Sequence, residues 1–194
     1  RFYRTVAPWT TENPIFMHLT TIDEQKVKRA VDQCAETGYE MIILSFGSGM
    51  NAETTDEKHI AYIKSLVDYA KNKGIEMGGY SLLASRWISE EVDVINPATG
   101  KRGGATFGSA PCLCSQWGVD YLAKIKSFYE KTGLTLLEHD GSYPGDVCAS
   151  TRHPYHKGLN DSQWKQFERI TDLYHWCLAK GVLSLIHISE PTRL

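Results

Sequence analysis

The sequence lacks several features that would assign it to a broad class at once. No run approaches the roughly 18 consecutive apolar residues of a transmembrane helix, so no membrane span is predicted. Neither sign of charge is in excess, because 21 Lys and Arg residues stand against 23 Asp and Glu, a net charge of −2. This balance excludes nucleic-acid binding through bulk positive charge. The composition, 42% hydrophobic and 11% aromatic over 194 residues, is instead typical of a globular protein.

Cysteine is sparse and odd in number, with five residues. Cys34 and Cys177 fall on the apolar stripes of predicted helices, which favours a role as small core residues. Cys112, Cys114 and Cys148 fall in predicted loops, where either one disulfide or a set of free thiols fits the sequence. The cysteine pattern therefore leaves the cellular compartment open.

Four segments have a helix start signal, an apolar stripe at helical spacing and a glycine stop. The first two begin with a threonine followed three residues later by a glutamate, the pattern of a capping box. Trp117 and Trp164 lie on the stripes of the last two segments and are predicted to pack between helix and sheet. The predicted helices begin at Thr21, Thr54, Ser115 and Asn160 and end at Gly38, Gly74, Gly133 and Gly181.

Short apolar runs follow each predicted helix and precede the first one. Alternation of such strands with helices predicts βαβ units and a parallel sheet. The predicted strands cover residues 15–19, 40–46, 75–80 and 134–140, and a fifth begins at 182.

The predicted connections differ in length at the two ends of the strands. Helix-to-strand connections take one to three residues, whereas long segments follow strands 75–80 and 134–140. Long loops at the carboxyl ends of strands are typical of a (β/α)8 TIM-barrel enzyme, although a doubly wound sheet also binds ligands there. A glycine-rich phosphate-binding fingerprint after the first strand is missing, which weakens a nucleotide-binding interpretation.

A complete barrel needs about 250 residues, so we expect an α/β fold truncated to about the first five β/α units of a TIM barrel. Residues 1–183 would form this partial catalytic domain. Residues 184–194 break the preceding pattern and resemble the translated adapter read-through that ends some assembled transcripts. They are predicted to be a non-native tail, with a divergent native end as the alternative.

The densest polar segment begins at the end of the fourth predicted strand. Asp140 ends this strand and is followed by a glycine, so its carboxylate would lie at the barrel mouth with little steric cover. Such a carboxylate suits attack on a sugar's anomeric carbon or general acid/base chemistry. The alternative is that Asp140 caps the following turn. Glu138 shares its strand face by alternation.

Leu-Leu-Glu-His-Asp140 resembles the strand that holds the catalytic Asp in the melibiase-type α-galactosidase clan of glycoside hydrolases, and the Ser162-Gln-Trp helix start is also similar to that clan. The resemblance implies a retaining glycosidase in which Asp140 is the nucleophile and forms a covalent glycosyl–enzyme intermediate. It also implies an acid/base carboxylate beyond residue 183, an inactive isolated fragment, and a slight preference for a secreted or periplasmic location. The clan usually has Lys where this chain has Glu138, which suggests a differently substituted sugar.

Other polar and aromatic residues near the predicted strand ends are candidates for sugar contacts. Tyr80 and Arg86 combine an aromatic ring with a cation after the third strand, Asn51 follows the second strand, and His153 lies in the loop after Asp140. A metal site at His153 and His156 is disfavoured because their spacing is loose and a proline separates them. The sequence thus predicts a carbohydrate substrate, no cofactor, no metal and no nucleic-acid partner.

Two alternatives to a glycosidase stay open. One is another class of TIM-barrel enzyme, such as a metal-dependent hydrolase or an aldolase, although the second to fourth predicted strands contain no lysine for an aldolase. The other is a non-catalytic carbohydrate-binding barrel, which would keep the aromatic residues but tolerate loss of Asp140.

Overall fold

A computed structural model describes residues 14–106, 108–140 and 145–186. Strands and helices alternate within these residues, as predicted. None of the helices there has both the length and the apolar character needed to cross a membrane. Most of the predicted tail, residues 187–194, lies outside the described residues. The elements are β1 (Phe16–Leu19), α1 (Glu24–Thr37), β2 (Met41–Leu44), α2 (Glu57–Asn72), β3 (Glu76–Leu82), α3 (Gln116–Thr132), β4 (Leu136–Asp140), α4 (Leu159–Lys180) and β5 (Leu183–Ile186).

The strands form one sheet in the order β1-β2-β3-β4-β5. β1 pairs with β2 and β2 with β3 in parallel, and Ile42 is the partner of both Met17 and Met77. The Thr135 amide donates to the Met77 carbonyl at 2.9 Å, and the Leu183 amide donates to the Thr135 carbonyl at 2.8 Å. The predicted parallel α/β sheet is therefore confirmed, and its strands lie in sequential order.

The chain divides into two compact units. Among the described residues, the first comprises residues 14–80, 128–138 and 181–183. Its core lies on β2, which is buried along its whole length, and on the predicted stripes of α1 and α2. The buried stripe residues are Val27, Ala30, Val31, Cys34, Ile60, Ile63, Leu66, Val67 and Ala70.

The predicted starts of the first two helices are wrong by two residues. Asp23 and Asp56 are the N-caps, and their carboxylates accept the amides of Lys26 and Lys58, respectively, each at 3.0 Å. The threonines two residues earlier accept the amides of these aspartates in a local turn. A carboxylate at the N-cap satisfies a free helix amide and also interacts favourably with the helix dipole.

Among the described residues, the second unit comprises residues 81–106, 108–127, 139–140, 145–180 and 184–186. Its helix α4 corrects a further prediction. Trp164 was predicted to be core but is 61% exposed. The buried face instead begins with two polar residues, because Ser162 accepts the Cys148 amide at 2.9 Å and Gln166 donates to the Asp146 carbonyl at 2.8 Å. Hydrogen bonds to the loop backbone thus bury the polar start of this face, which continues with Ile170, Leu173 and Cys177.

Two long loops belong to this second unit. The β3–α3 loop connects Leu82 to Gln116, with residues 83–106 and 108–115 described, and the described part of the β4–α4 loop is residues 145–158. Side chains of both loops share a small core of their own. Its members are Ala84, Val94, Ala110, Cys112, Cys114 and Cys148.

Candidate functional site

Asp140 is the last residue of β4, as predicted. The preceding four residues of the strand are buried, whereas Asp140 itself is half-buried. Its backbone carbonyl accepts hydrogen bonds from the amides of Leu83 and Ala84 at 3.2 and 3.1 Å. The β3–α3 loop thus fixes the backbone of Asp140 at the point where the strand ends.

His139, next to Asp140, is 1% exposed and contacts helix α4. Its Nε2 lies 3.2 Å from the Tyr174 hydroxyl, and the two rings stack with their centroids 5.9 Å apart. Burial lowers the pKa of His139 to about 4, although the neighbouring Asp140 carboxylate acts in the opposite direction. His139 is therefore neutral at pH 7 and packs as part of the interior.

Glu138 belongs to the first unit and is completely buried. Its Oε1 lies 3.3 Å from Nε2 of His18 on β1, and the His18 side chain is 35% exposed. A buried carboxylate needs a polar partner, and the His18 ring provides one at this distance. The arrangement gives Glu138 a fixed orientation on β4.

Tyr80 and Asn51 also belong to the first unit. Tyr80 is 8% exposed and meets Phe46 edge-on, with ring centroids 5.6 Å apart, while Phe46 is 65% exposed. Asn51 is exposed, and its side-chain oxygen accepts the Glu53 amide at 3.0 Å in a turn before α2. The two aromatic rings provide an apolar surface of which Phe46 is the accessible part.

Arg86 lies in the second unit, where α3 holds its side chain. Its guanidinium lies 4.8 Å from the Trp117 ring centroid and 5.4 Å from the Tyr121 ring centroid. Such cation–π contacts restrict a long side chain to one orientation. The preceding Ser85 has a φ of 59°, a left-handed conformation that is uncommon for residues other than glycine. Backbone strain and stacking together set the direction of Arg86.

His153 lies deep within the β4–α4 loop and is 4% exposed. Its Nε2 is 3.0 Å from the Glu91 carbonyl, and its Nδ1 is 3.2 Å from Nε2 of His156 and 3.5 Å from Sγ of Cys148. Both ring nitrogens therefore have protein neighbours, and a direct sugar contact would require these contacts to open.

All five cysteines of the chain are free and buried.

Sequence reasoning missed the group of acceptors and donors that orders the β3–α3 loop. Asp93 is fully buried and forms an ion pair with Arg102 at 2.5 Å, while the Arg102 guanidinium lies 4.5 Å from the Trp87 ring centroid. Asp146 accepts the Thr106 amide at 2.9 Å. In the sequence, these residues are visible only as Asp93, Arg102 and Asp146 in segments that contain glycines. That pattern does not identify which groups pair.

The fold and the candidate residues define a class of protein. It is an α/β protein whose candidate polar side chains lie at or after the ends of parallel strands. No protein-family model and no curated protein sequence matches the chain. Among solved structures, it is similar to the α-N-acetylgalactosaminidase NagBb from Bifidobacterium bifidum in complex with Gal-NHAc-DNJ, with a TM-score of 0.62, 17% identity, and coverage of 93% of this chain and 35% of that one.

Two further similar structures are described as α-galactosidases. For AgaA from Geobacillus stearothermophilus the TM-score is 0.63 at 12% identity, over 89% of this chain and 27% of that one. For the galactosidase domain of the α-galactosidase–sucrose kinase AgaSK the TM-score is 0.60 at 9% identity, over 92% and 27%. The chain thus shares the fold of a part of these glycosidases and spans about a third of their length or less.

Proposed function

We propose that this chain is part of a retaining glycoside hydrolase that acts on an oligo- or polysaccharide, with Asp140 as the nucleophile. The observation that carries the proposal is the position of Asp140, a half-buried carboxylate that ends a parallel strand in a fold shared with glycosidases. In a retaining mechanism this carboxylate attacks the anomeric carbon while a general acid protonates the departing oxygen. The acid/base carboxylate would come from a later strand outside these 194 residues.

The contact between His18 and Glu138 supports a barrel. Their strands, β1 and β4, are three positions apart in the sheet, which in a flat sheet corresponds to about 14 Å. The 3.3 Å contact between the two side chains therefore favours strong curvature of the β1–β4 sheet, with both side chains on the concave face. A (β/α)8 barrel has this curvature, and its active site lies at the carboxyl ends of its strands.

Residues of the neighbouring strand ends would bind the sugar. Because side chains alternate along a strand, Glu138 leaves β4 on the same face as Asp140. Tyr80 would offer a ring, and Arg86 and Asn51 would offer polar groups for hydroxyls. Glu138 is completely buried and would be an acceptor only if its contact with His18 opens. His153 is proposed to bind substrate only if its present contacts with Cys148 and His156 open.

The proposal is tested on the whole protein that carries this sequence. Asp140→Ala should lower turnover on the order of 10⁴-fold while sugar affinity stays within about tenfold, or about 1.4 kcal/mol. Added azide should restore turnover of the variant and give a glycosyl azide of the anomeric configuration opposite to that of the substrate. Asp172→Ala, at an exposed carboxylate of α4, is the control and should retain full turnover.

Each alternative function has its own outcome. Unchanged turnover in Asp140→Ala would rule out the mechanism. A non-catalytic binding protein would show sugar affinity without turnover before any substitution. A metal-dependent hydrolase would lose turnover on chelation while its fold stays intact, as measured by circular dichroism.

A further inference from the structure

Four potential metal ligands from the two long loops of the second unit converge in its interior. Cys112 belongs to the β3–α3 loop, and Cys148, His153 and His156 belong to the β4–α4 loop. One donor atom from each residue lies within 4.8 Å of the donor atoms of the other three. The cysteines are completely buried, and His153 and His156 are 4% and 6% exposed. None of the four has a role in the proposed glycosidase chemistry, apart from the conditional one of His153.

The distances within this cluster fit a tetrahedral zinc ion. With zinc–nitrogen bonds of about 2.0–2.1 Å and zinc–sulfur bonds of about 2.3 Å, two ligand nitrogens lie about 3.3 Å apart, and a nitrogen and a sulfur about 3.6 Å apart. Nδ1 of His153 is 3.2 Å from Nε2 of His156 and 3.5 Å from Sγ of Cys148. The donor atoms therefore already have nearly the spacing that one ion would impose.

Hydrogen bonds with neighbouring backbone groups favour the metal-binding form of two of the ligands. Nε2 of His153 lies 3.0 Å from the Glu91 carbonyl, so the ring proton belongs on Nε2 and the Nδ1 lone pair is directed into the cluster. Metal-binding histidines commonly donate their other ring N–H to a carbonyl in this way. The Ile95 amide donates to Sγ of Cys148 at 3.4 Å, which stabilises a thiolate.

The two histidine rings face each other through the nitrogens that a metal would bind. Nε2 of His156 lies 3.2 Å from Nδ1 of His153, and only one of these two nitrogens can donate to the other. With the His153 proton on Nε2, these two buried nitrogens share one hydrogen bond, and two buried sulfurs lie beside them. A metal ion would give the lone pairs of both rings and both sulfurs one common partner.

We propose that Cys112, Cys148, His153 and His156 bind one Zn²⁺ ion in a closed structural site that fastens the β3–α3 loop to the β4–α4 loop. Two thiolates and two imidazoles select zinc rather than Ca²⁺ or Mg²⁺, which prefer oxygen ligands. Four protein ligands and full burial leave no open position for a substrate, so the ion is structural rather than catalytic. The proposal departs from the sequence prediction of no metal, and it does not depend on the glycosidase proposal.

The test is the metal content of the whole protein, purified without chelators and measured by mass spectrometry of its metals. Wild type should contain one more equivalent of zinc per chain than Cys148→Ser or His156→Gln. The matched control is Cys114→Ser, which removes a buried cysteine of the β3–α3 loop that is not among the four, and Cys34→Ser removes a distant one. Both controls should retain the zinc.

A second measurement uses wild type alone, in case the ligand variants do not fold. Replacement of the metal by Co²⁺ should give thiolate-to-cobalt charge-transfer bands and the intense visible bands of a tetrahedral site. Absence of both stoichiometric zinc and this spectrum would overturn the proposal. So would a Cys112–Cys148 disulfide, detected as an intact mass lower by two hydrogens and a loss of two reactive thiols after denaturation.

Discussion

The buried His139 makes the stability of the protein sensitive to pH in a calculable way. Its pKa falls from 6.5 to about 4 on folding because burial penalises the charged ring. Above pH 6.5 the ring is neutral in both states and contributes no pH dependence. As the pH falls below 6.5, the unfolded state binds the proton first, so stability is lost progressively until the pH passes the folded value near 4.

The size of this loss follows from the two pKa values. It reaches about 2 kcal/mol at pH 5 and about 3 kcal/mol below pH 4. His139→Gln removes the titrating ring while its amide can still bond to the Tyr174 hydroxyl, which lies 3.2 Å from Nε2 in wild type. The fall in unfolding free energy between pH 8 and pH 5 should therefore be about 2 kcal/mol smaller in the variant than in wild type.

Urea unfolding of the whole protein, followed by circular dichroism at both pH values, measures this difference. Other groups titrate over the same range, but their contribution is common to wild type and variant and cancels in the comparison. His175→Gln, at an exposed position of α4, is the matched control and should show the wild-type pH dependence. An equal loss of stability in wild type and His139→Gln would refute the argument from burial.

Three further predictions concern the loops and helix α3. Gly118→Ala should destabilise the protein by at least about 1 kcal/mol, although helix propensity alone favours alanine, because the new Cβ would lie 2.5 Å from the Leu113 carbonyl oxygen. Urea unfolding checks this, with the exposed Ser127→Ala as the control that should be neutral or slightly stabilising. Ser85→Gly should be more stable in thermal unfolding than Ser85→Val, because the position has a φ of 59° and a β-branched residue is strained there. A zinc chelator should lower the thermal unfolding midpoint of wild type but not that of Cys148→Ser; equal midpoints for wild type with and without chelator would contradict the zinc site.

The sheet could be predicted from the sequence because its signals are local. Each helix ends near a glycine, and positive φ values at Gly38, Gly74, Gly133 and Gly181 explain why the residue is needed there. An apolar run follows each of these stops, so the alternation of helices and strands and the parallel direction of the strands follow from the chain itself. The helix starts are harder to predict, since Thr-x-Asp-Glu contains two residues that can act as an N-cap. Only the geometry shows that the aspartate is used.

The face of α4 could not be predicted because its partners are distant in sequence. Trp164 and Phe167 follow helical spacing, yet they are 61% and 41% exposed. Ser162 and Gln166 take the buried positions through hydrogen bonds to the backbone of Cys148 and Asp146. The buried face continues with Ile170, Leu173 and Cys177, so hydrogen bonds to a loop and apolar packing together select it.

The zinc ligands escaped sequence reasoning for a related reason. Cys112 belongs to one loop and the other three ligands to another, so no single short motif contains them. The Pro that separates His153 from His156 argued against a helical pair of ligands, but a loop brings the two rings to a nitrogen–nitrogen distance of 3.2 Å without a helix.

The β3–α3 loop is long and has a core of small side chains, and the proposed metal would add to its stability. A connection that runs from residue 83 to 115 without a helix or named strand is long for a compact domain and usually serves a function. Its shared core with the β4–α4 loop consists of only alanine, valine and cysteine side chains, which bury little apolar surface. Small regions with such cores are commonly held by metals or disulfides. A zinc ion beside this core would therefore stabilise both loops, including the segment at Leu83 and Ala84 that holds the Asp140 backbone, without any part in the chemistry at the sugar.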